Sequence, residues 1–142
     1  AHRLRRGATL IDDSYNANPG SMAAAIDTLA DGGGEAWLVL GDMRELGADE
    51  VALHAEAGAR ARAAGIARLF ALGELSAHAA RTFGEGGSVH ASHAALADAL
   101  WAQLGAGTTV LVKGSRGSAM DKIVTALLQR DAGSDGETTD AA

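Results

Sequence analysis

Short apolar runs alternate with longer segments of helical period along this chain, a rhythm that builds βαβ units and a parallel sheet. Five such units can be counted. Thr9 to Asp12 reads as a buried strand, and Pro19 to Ala30 as a helix with Met22, Ile26, Leu29 and Ala30 at helical spacing. Gly32-Gly33-Gly34 breaks the chain before a second strand, Trp37-Leu38-Val39-Leu40. Glu50 to Ala64 is the second helix, with Val51, Leu53, Ala57 and Ala61 among its apolar positions and Gly65 at its end. Arg68 to Leu72 is the third strand, a short helix covers Leu75 to Thr82, and Val89 marks a fourth strand. Ser92 suits the N-cap of a helix running to Leu104, which carries leucines at 96, 100 and 104. Thr108 to Val112 is the fifth strand and Ala119 to Arg130 the last helix. The expected fold is α/β: a Rossmann-like open, mostly parallel sheet of five to six strands with helices on both faces.

A chain of 142 residues is the size of one domain, placed at 8–130. Residues 1–7 look like a connection cut inside a larger protein. Residues 131–142 hold four acids, no bases and nothing apolar larger than alanine, so a disordered acidic tail is expected there. The absence of cysteine removes disulfides, thiolate zinc sites and a cysteine nucleophile. No apolar run has the length of a membrane span, and the first six residues lack a signal-peptide core, so the expected location is the cytoplasm. A net charge of −6 and few aromatics disfavour a nucleic-acid surface.

In an open parallel sheet, ligands bind beyond the carboxyl ends of the strands. There the sequence gathers Asp12 and Asp13, Gly41 and Asp42, Gly73 and Glu74, and Lys113, Ser115 and Arg116. Gly41, Gly73, Gly114 and Gly117 either admit a ligand to the backbone or simply turn the chain. Asp13 could accept from a ribose diol, sit near a magnesium ion, or form an Asx turn. Asn18 suits the N-cap and Pro19 the first helical position. Lys113 and Arg116 could bind phosphate or carboxylate, or form a salt bridge to Asp13 or Asp42. Ser115 adds a hydroxyl, and Gly114 a free N–H at the following helix start. His90 and His93 are spaced as a metal could use, but no third ligand is evident and no metal site is assigned. His54 and His78 read as surface or packing residues.

Three motifs follow in order: Asp-Asp-Ser-Tyr-Asn-Ala-Asn-Pro-Gly-Ser-Met at 12–22, Leu-Gly-Asp-Met-Arg-Glu-Leu-Gly at 40–47, and Leu-Val-Lys-Gly-Ser-Arg-Gly-Ser-Ala-Met at 111–120. Together they resemble the C-terminal domain of a Mur ligase, over roughly residues 8–130. Within the family, the first two motifs are most similar to the members that add D-alanyl-D-alanine to UDP-MurNAc-tripeptide. The resemblance implies that Asp13 contacts the ATP ribose and that Tyr15, Asn16 and Asn18 line the nucleotide side. It implies that Lys113, Ser115 and Arg116 help hold the incoming dipeptide, with Asp42 and Arg44 in the matching loop after the second strand.

Neither a phosphate-binding loop ending in Gly-Lys-Ser or Gly-Lys-Thr nor a Gly-x-Gly-x-x-Gly fingerprint is present. In Mur ligases the phosphate loop, a carbamylated lysine and the main magnesium ligands lie in a central domain, and UDP-sugar binding in an N-terminal one. The resemblance therefore implies a third domain that holds no catalytic residue and no tightly bound cofactor. Its parent would use ATP and Mg2+, and its partners would be those two domains and the two substrates. A receiver domain of two-component signalling shares the size, the acidic pair and the lysine, but Leu72-Gly73-Glu74 stands where its phosphoacceptor aspartate belongs.

Overall fold

The computed structural model describes residues 1–15 and 17–141, with side chains as far as 133. Its six-stranded sheet runs β1(His2–Arg3), β2(Thr9–Asp13), β6(Thr108–Lys113), β3(Glu35–Gly41), β4(Arg68–Leu72), β5(Gly87–His90) across the molecule. All neighbours are parallel except the short β1, which pairs antiparallel with β2. The helices are α1(Pro19–Asp31), α2(Glu50–Ala64), α3(Ser76–Phe83), α4(His93–Gln103) and α5(Asp121–Ala141).

Alternation along the strands divides the core in two. Leu38 and Leu40 of β3 and Leu69 and Ala71 of β4 pack with Met22 and Ile26 of α1, Ala57 and Ala61 of α2, and Phe83 of α3. Their strand neighbours Trp37, Val39 and Phe70 point the other way, onto Leu96 and Leu100 of α4 and Ile123 and Leu127 of α5. Burial on both faces explains why the central strands read as continuous apolar runs. It also sets the crevices: the chain leaves β2, β3 and β4 toward one face, and β5 and β6 toward the other. Adjacent strands with divergent exits are therefore β2/β6, β6/β3 and β4/β5, and a groove opens at each such point.

α1 starts where the sequence places it. Asn18 Oδ1 accepts from the Ser21 amide at 2.9 Å, and the Ser21 hydroxyl accepts from the Asn18 amide at 3.2 Å, closing a capping box ahead of Pro19.

Both chain ends depart from expectation. Within the expected connection 1–7, β1 adds an edge strand and Leu4 is buried in the α4–α5 core. The last helix starts at Asp121 rather than Ala119, which adopts φ 53° after a 3-10 turn at Arg116–Ser118. It continues to Ala141 instead of ending at Arg130. Asp131, assigned to the tail, is buried and accepts the Arg5 amide at 2.9 Å. That contact joins two segments 126 residues apart, which no local pattern can reveal. Among the described residues, no helix is long and apolar enough to cross a membrane.

Candidate functional site

The parallel register brings the ends of β2, β6 and β3 to one rim. Asp13 lies directly beside Lys113 in the β2–β6 pairing, so their side chains leave the same face of the sheet. Lys113 Nζ donates to Asp13 Oδ2 at 2.5 Å; the lysine side chain is 0% exposed and that of the aspartate 42%. A buried ammonium needs such a partner, because desolvation without one is costly. Asp13 Oδ1 has no protein partner among the described residues and remains available to a ligand. The salt bridge was one of the alternatives for Lys113, and the structure places this residue beneath Asp13 rather than on the open rim.

The Asx turn falls one residue earlier than expected. Asp12 Oδ1 accepts from the Ser14 amide at 3.1 Å and from its hydroxyl at 2.6 Å, turning the chain outward. Tyr15 is consequently 59% exposed, and the Arg116 guanidinium sits 6.0 Å from its ring centroid. Both line a cleft of about 1150 Å³ together with Ala17, Arg44, Glu45 and Ser115. Asn18 stands at the edge as a cap, its side-chain oxygen already committed to Ser21. Asn16 lies outside the described residues.

The loop after β3 serves two masters. Asp42 sends its carboxylate to the start of α3, accepting from the Ser76 amide at 2.8 Å, the Ser76 hydroxyl at 2.7 Å and the Leu75 amide at 3.4 Å. It caps a helix, with donors on both oxygens, and the residue lines both clefts. The backbone of the same loop is tied to the loop after β6: the Ser115 amide donates to the Asp42 carbonyl at 3.3 Å, and the Arg44 amide to Ser115 Oγ at 2.8 Å. The Arg44 side chain is exposed and borders both this cleft and a second one.

That second cleft, about 670 Å³, opens at the β4/β5 divergence and is lined by Glu74, His78, Arg81, Val89, His90 and His93. His90 stacks 5.8 Å from Phe70, and burial pushes its imidazole below the ordinary histidine value. His93 Nε2 is bonded to the Ser118 carbonyl at 2.9 Å and His78 Nδ1 to Arg81 at 3.1 Å. Among the described residues, no group of three or more histidines and acids is placed to hold a metal ion.

Three of the four rim glycines are occupied by protein neighbours instead of ligand space. A Cβ on Gly41 would meet Met120 Cγ at 2.4 Å, one on Gly114 would meet Ser118 Oγ at 2.5 Å, and one on Gly73 would meet the Asp42 carboxylate at 2.3 Å. Gly117 lines both clefts, and Gly73 lines the smaller one. The intervening 3-10 turn also removes Gly114 from any helix start.

His54 was passed over as a surface or packing residue, yet it is fully buried and hydrogen-bonded at both ring nitrogens to backbone of the β3–α2 region. Its signal is phase: His54 falls in step with Ala57, Gly58 and Ala61, the buried stripe of α2, whereas Val51 is exposed.

Residues 2–116 match the Mur ligase, glutamate ligase domain family. The chain is 45% identical over 127 residues to the UDP-N-acetylmuramoyl-tripeptide--D-alanyl-D-alanine ligase of Escherichia coli, a match covering 88% of this chain and 28% of that protein. The enzyme of the same name from Bacillus subtilis is 38% identical over 134 residues, with 87% and 28% covered. The chain thus spans little more than a quarter of the length of these relatives. MurF from Acinetobacter baumannii superposes with a TM-score of 0.74 at 27% identity, over 86% of this chain and 28% of that one. The fold is also that of the MurF ligase from Thermotoga maritima in complex with ADP, at a TM-score of 0.78, 24% identity, and coverage of 92% and 30%. The receiver alternative is thereby set aside, and with its family match, its doubly wound sheet and its three rim motifs the chain belongs to the Mur ligases, as their glutamate ligase domain.

Proposed function

We propose that this chain is the C-terminal domain of a cytoplasmic ATP-dependent ligase that joins D-alanyl-D-alanine to UDP-MurNAc-tripeptide, a step in making peptidoglycan precursors. The relatives carrying that name, at up to 45% identity, support the assignment. The observation that carries it is the rim at the ends of β2 and β6: a half-exposed Asp13 carboxylate seated on the buried Lys113 ammonium, and, two residues on in the chain, an exposed Tyr15 ring that lines the larger cleft with Arg116.

In this reading, Asp13 Oδ1 accepts the ribose hydroxyls while Oδ2 stays on Lys113, and Tyr15 and Arg116 flank the nucleotide. Arg44 offers its guanidinium to the dipeptide carboxylate, by the bidentate bonding that suits this pair. Lys113 and Ser115 act through Asp13 and Arg44 respectively. The tripeptide carboxylate attacks the γ-phosphorus of ATP, releasing ADP. The dipeptide amine then attacks the acyl carbon, losing a proton and expelling phosphate as the peptide bond forms. ATP phosphates and Mg2+ are held by the central domain, and UDP-sugar by the N-terminal one. This domain contributes by closing over them, which aligns the amine and keeps water from the acyl-phosphate.

Phosphate release by the full-length parent tests the proposal, with ATP, Mg2+ and UDP-MurNAc-tripeptide present. Release that requires D-alanyl-D-alanine is the expected result. A requirement for a single amino acid instead would move the chain to another Mur ligase, and no release with any acceptor would refute the enzyme reading.

A further inference from the structure

Two consecutive amides fix the loop that carries Arg44. The Met43 N–H donates to His54 Nε2 at 2.9 Å, and the Arg44 N–H donates to Ser115 Oγ at 2.8 Å. The first tether comes from α2 and the second from the loop after β6, so the peptide between them is gripped by two elements that do not otherwise share it. Immediately beyond lies Glu45 with φ 61°, a left-handed conformation that a non-glycine residue keeps only where its surroundings over-determine it.

The imidazole is suited to one end of this grip. Its Nδ1 faces the Glu50 carbonyl at 2.6 Å, which can only accept, so Nδ1 carries the proton. Its Nε2 faces an amide N–H, which can only donate, so Nε2 is the bare nitrogen. Only a neutral ring in that single tautomer meets both partners. A residue present merely to fill the core would make neither bond, and a leucine or phenylalanine would serve as well.

We infer that His54, which reaches neither cleft, is a positioning residue for Arg44, holding its backbone so that the guanidinium stands on the border between the two clefts. The inference rests on the ligase reading for what Arg44 then does, but not for the tether itself. Glutamine at 54 can present an acceptor near the Nε2 position; asparagine reaches only the Nδ1 position, and phenylalanine supplies volume alone.

The test compares His54→Gln, His54→Asn and His54→Phe in the full-length enzyme, with two readouts. In the phosphate-release assay, the Asn and Phe variants should raise the dipeptide KM about tenfold, as loss of one buried hydrogen bond implies, while leaving the ATP KM unchanged. The Gln variant should restore most of the loss, and Arg44→Ala should add little on top of His54→Asn, because both remove the same contact. Hydrogen exchange over 42–47 should quicken in the Asn and Phe variants and not elsewhere. If Phe performs better than Gln, if both KM values and the exchange of the whole domain move together, or if nothing moves, His54 is core packing and the inference falls. Should the wild type itself show no dipeptide-dependent release, the ligase reading fails, and exchange at 42–47 still decides the tether.

Discussion

The two clefts at the carboxyl edge arise from the same topological event, yet they are built differently. The larger lies where β2, β6 and β3 diverge and is ringed by the exposed Tyr15, Arg44 and Arg116, while the Asp13–Lys113 pair stands at the neighbouring β2–β6 rim, on the side covered by α1. The smaller lies between β4 and β5, and its histidines are held by local or backbone contacts: Ser88 for His90, Arg81 for His78, the Ser118 carbonyl for His93. One loop joins them, tying its backbone to the first through Ser115 and sending the Asp42 carboxylate to build the wall of the second. Asp42 thus anchors the start of α3 while lining both clefts.

Asp13→Ala should produce the largest effect. It removes the proposed nucleotide contact and strands a fully buried lysine, so denaturant unfolding should show a loss of about 2–4 kcal/mol, somewhat softened by the half-exposure of the pair. Adding Lys113→Met should recover most of that stability but none of the nucleotide affinity. A double variant as unstable as the single one would break the claim that Asp13 is what makes the buried Lys113 tolerable.

Gly73→Ala comes next. The new methyl would lie 2.3 Å from the Asp42 carboxylate, on a residue with φ 120°, so a destabilisation of about 2 kcal/mol is expected. Nucleotide affinity, which the proposal assigns to the ends of β2 and β6, should hold. Isothermal titration with a non-hydrolysable ATP analogue checks that separation, and weakened binding would show the clefts to be one site.

Within the first motif, Asn18→Ala should cost about 1 kcal/mol by opening the capping box. Tyr15→Ala should change stability by less than about 0.5 kcal/mol, since the ring is exposed. Nucleotide affinity should respond in the opposite order, falling for Tyr15→Ala and surviving Asn18→Ala; equal losses would merge the two roles.

The smallest effect concerns pH. Burial holds His90 below its ordinary value, so the unfolded chain binds its proton more readily than the folded one. That contribution is intact above the ordinary histidine range and is lost as pH falls through it. Thermal melts of His90→Gln against wild type should converge at acid pH and separate near neutrality; a constant gap would show that His90 does not titrate on unfolding.

Much of this architecture was legible because strands and helices carry local signatures. Each parallel strand but β5, which Val89 alone marked, had its apolar run, and Asn18-Pro19 announced the start of α1. The motifs likewise marked the rim, since every strand end there is punctuated by polar residues. What stayed hidden was partnership. Nothing in the wording of Asp42 says that its carboxylate caps α3, because the Ser76 that receives it lies 34 residues on. For Lys113 the sequence leaves a ligand or a salt bridge to Asp13 or Asp42 open, and only the β2–β6 register sets it beside Asp13. His54 reads as a surface or packing residue, although its phase along α2 marks the buried face. The Arg5–Asp131 contact, between the two ends of the described side chains, has no local signature at all.

The most direct measurement of the central claim is the steady-state KM for ATP of the full-length enzyme carrying Asp13→Asn, which keeps the side chain's shape while removing its charge, with dipeptide-dependent phosphate release as the assay. The account predicts that release still requires D-alanyl-D-alanine and that the ATP KM rises about tenfold or more while the dipeptide KM stays put, as loss of a charge-assisted hydrogen bond implies. An unchanged ATP KM would contradict it, because the carboxylate at the end of β2 would then have no part in holding the nucleotide.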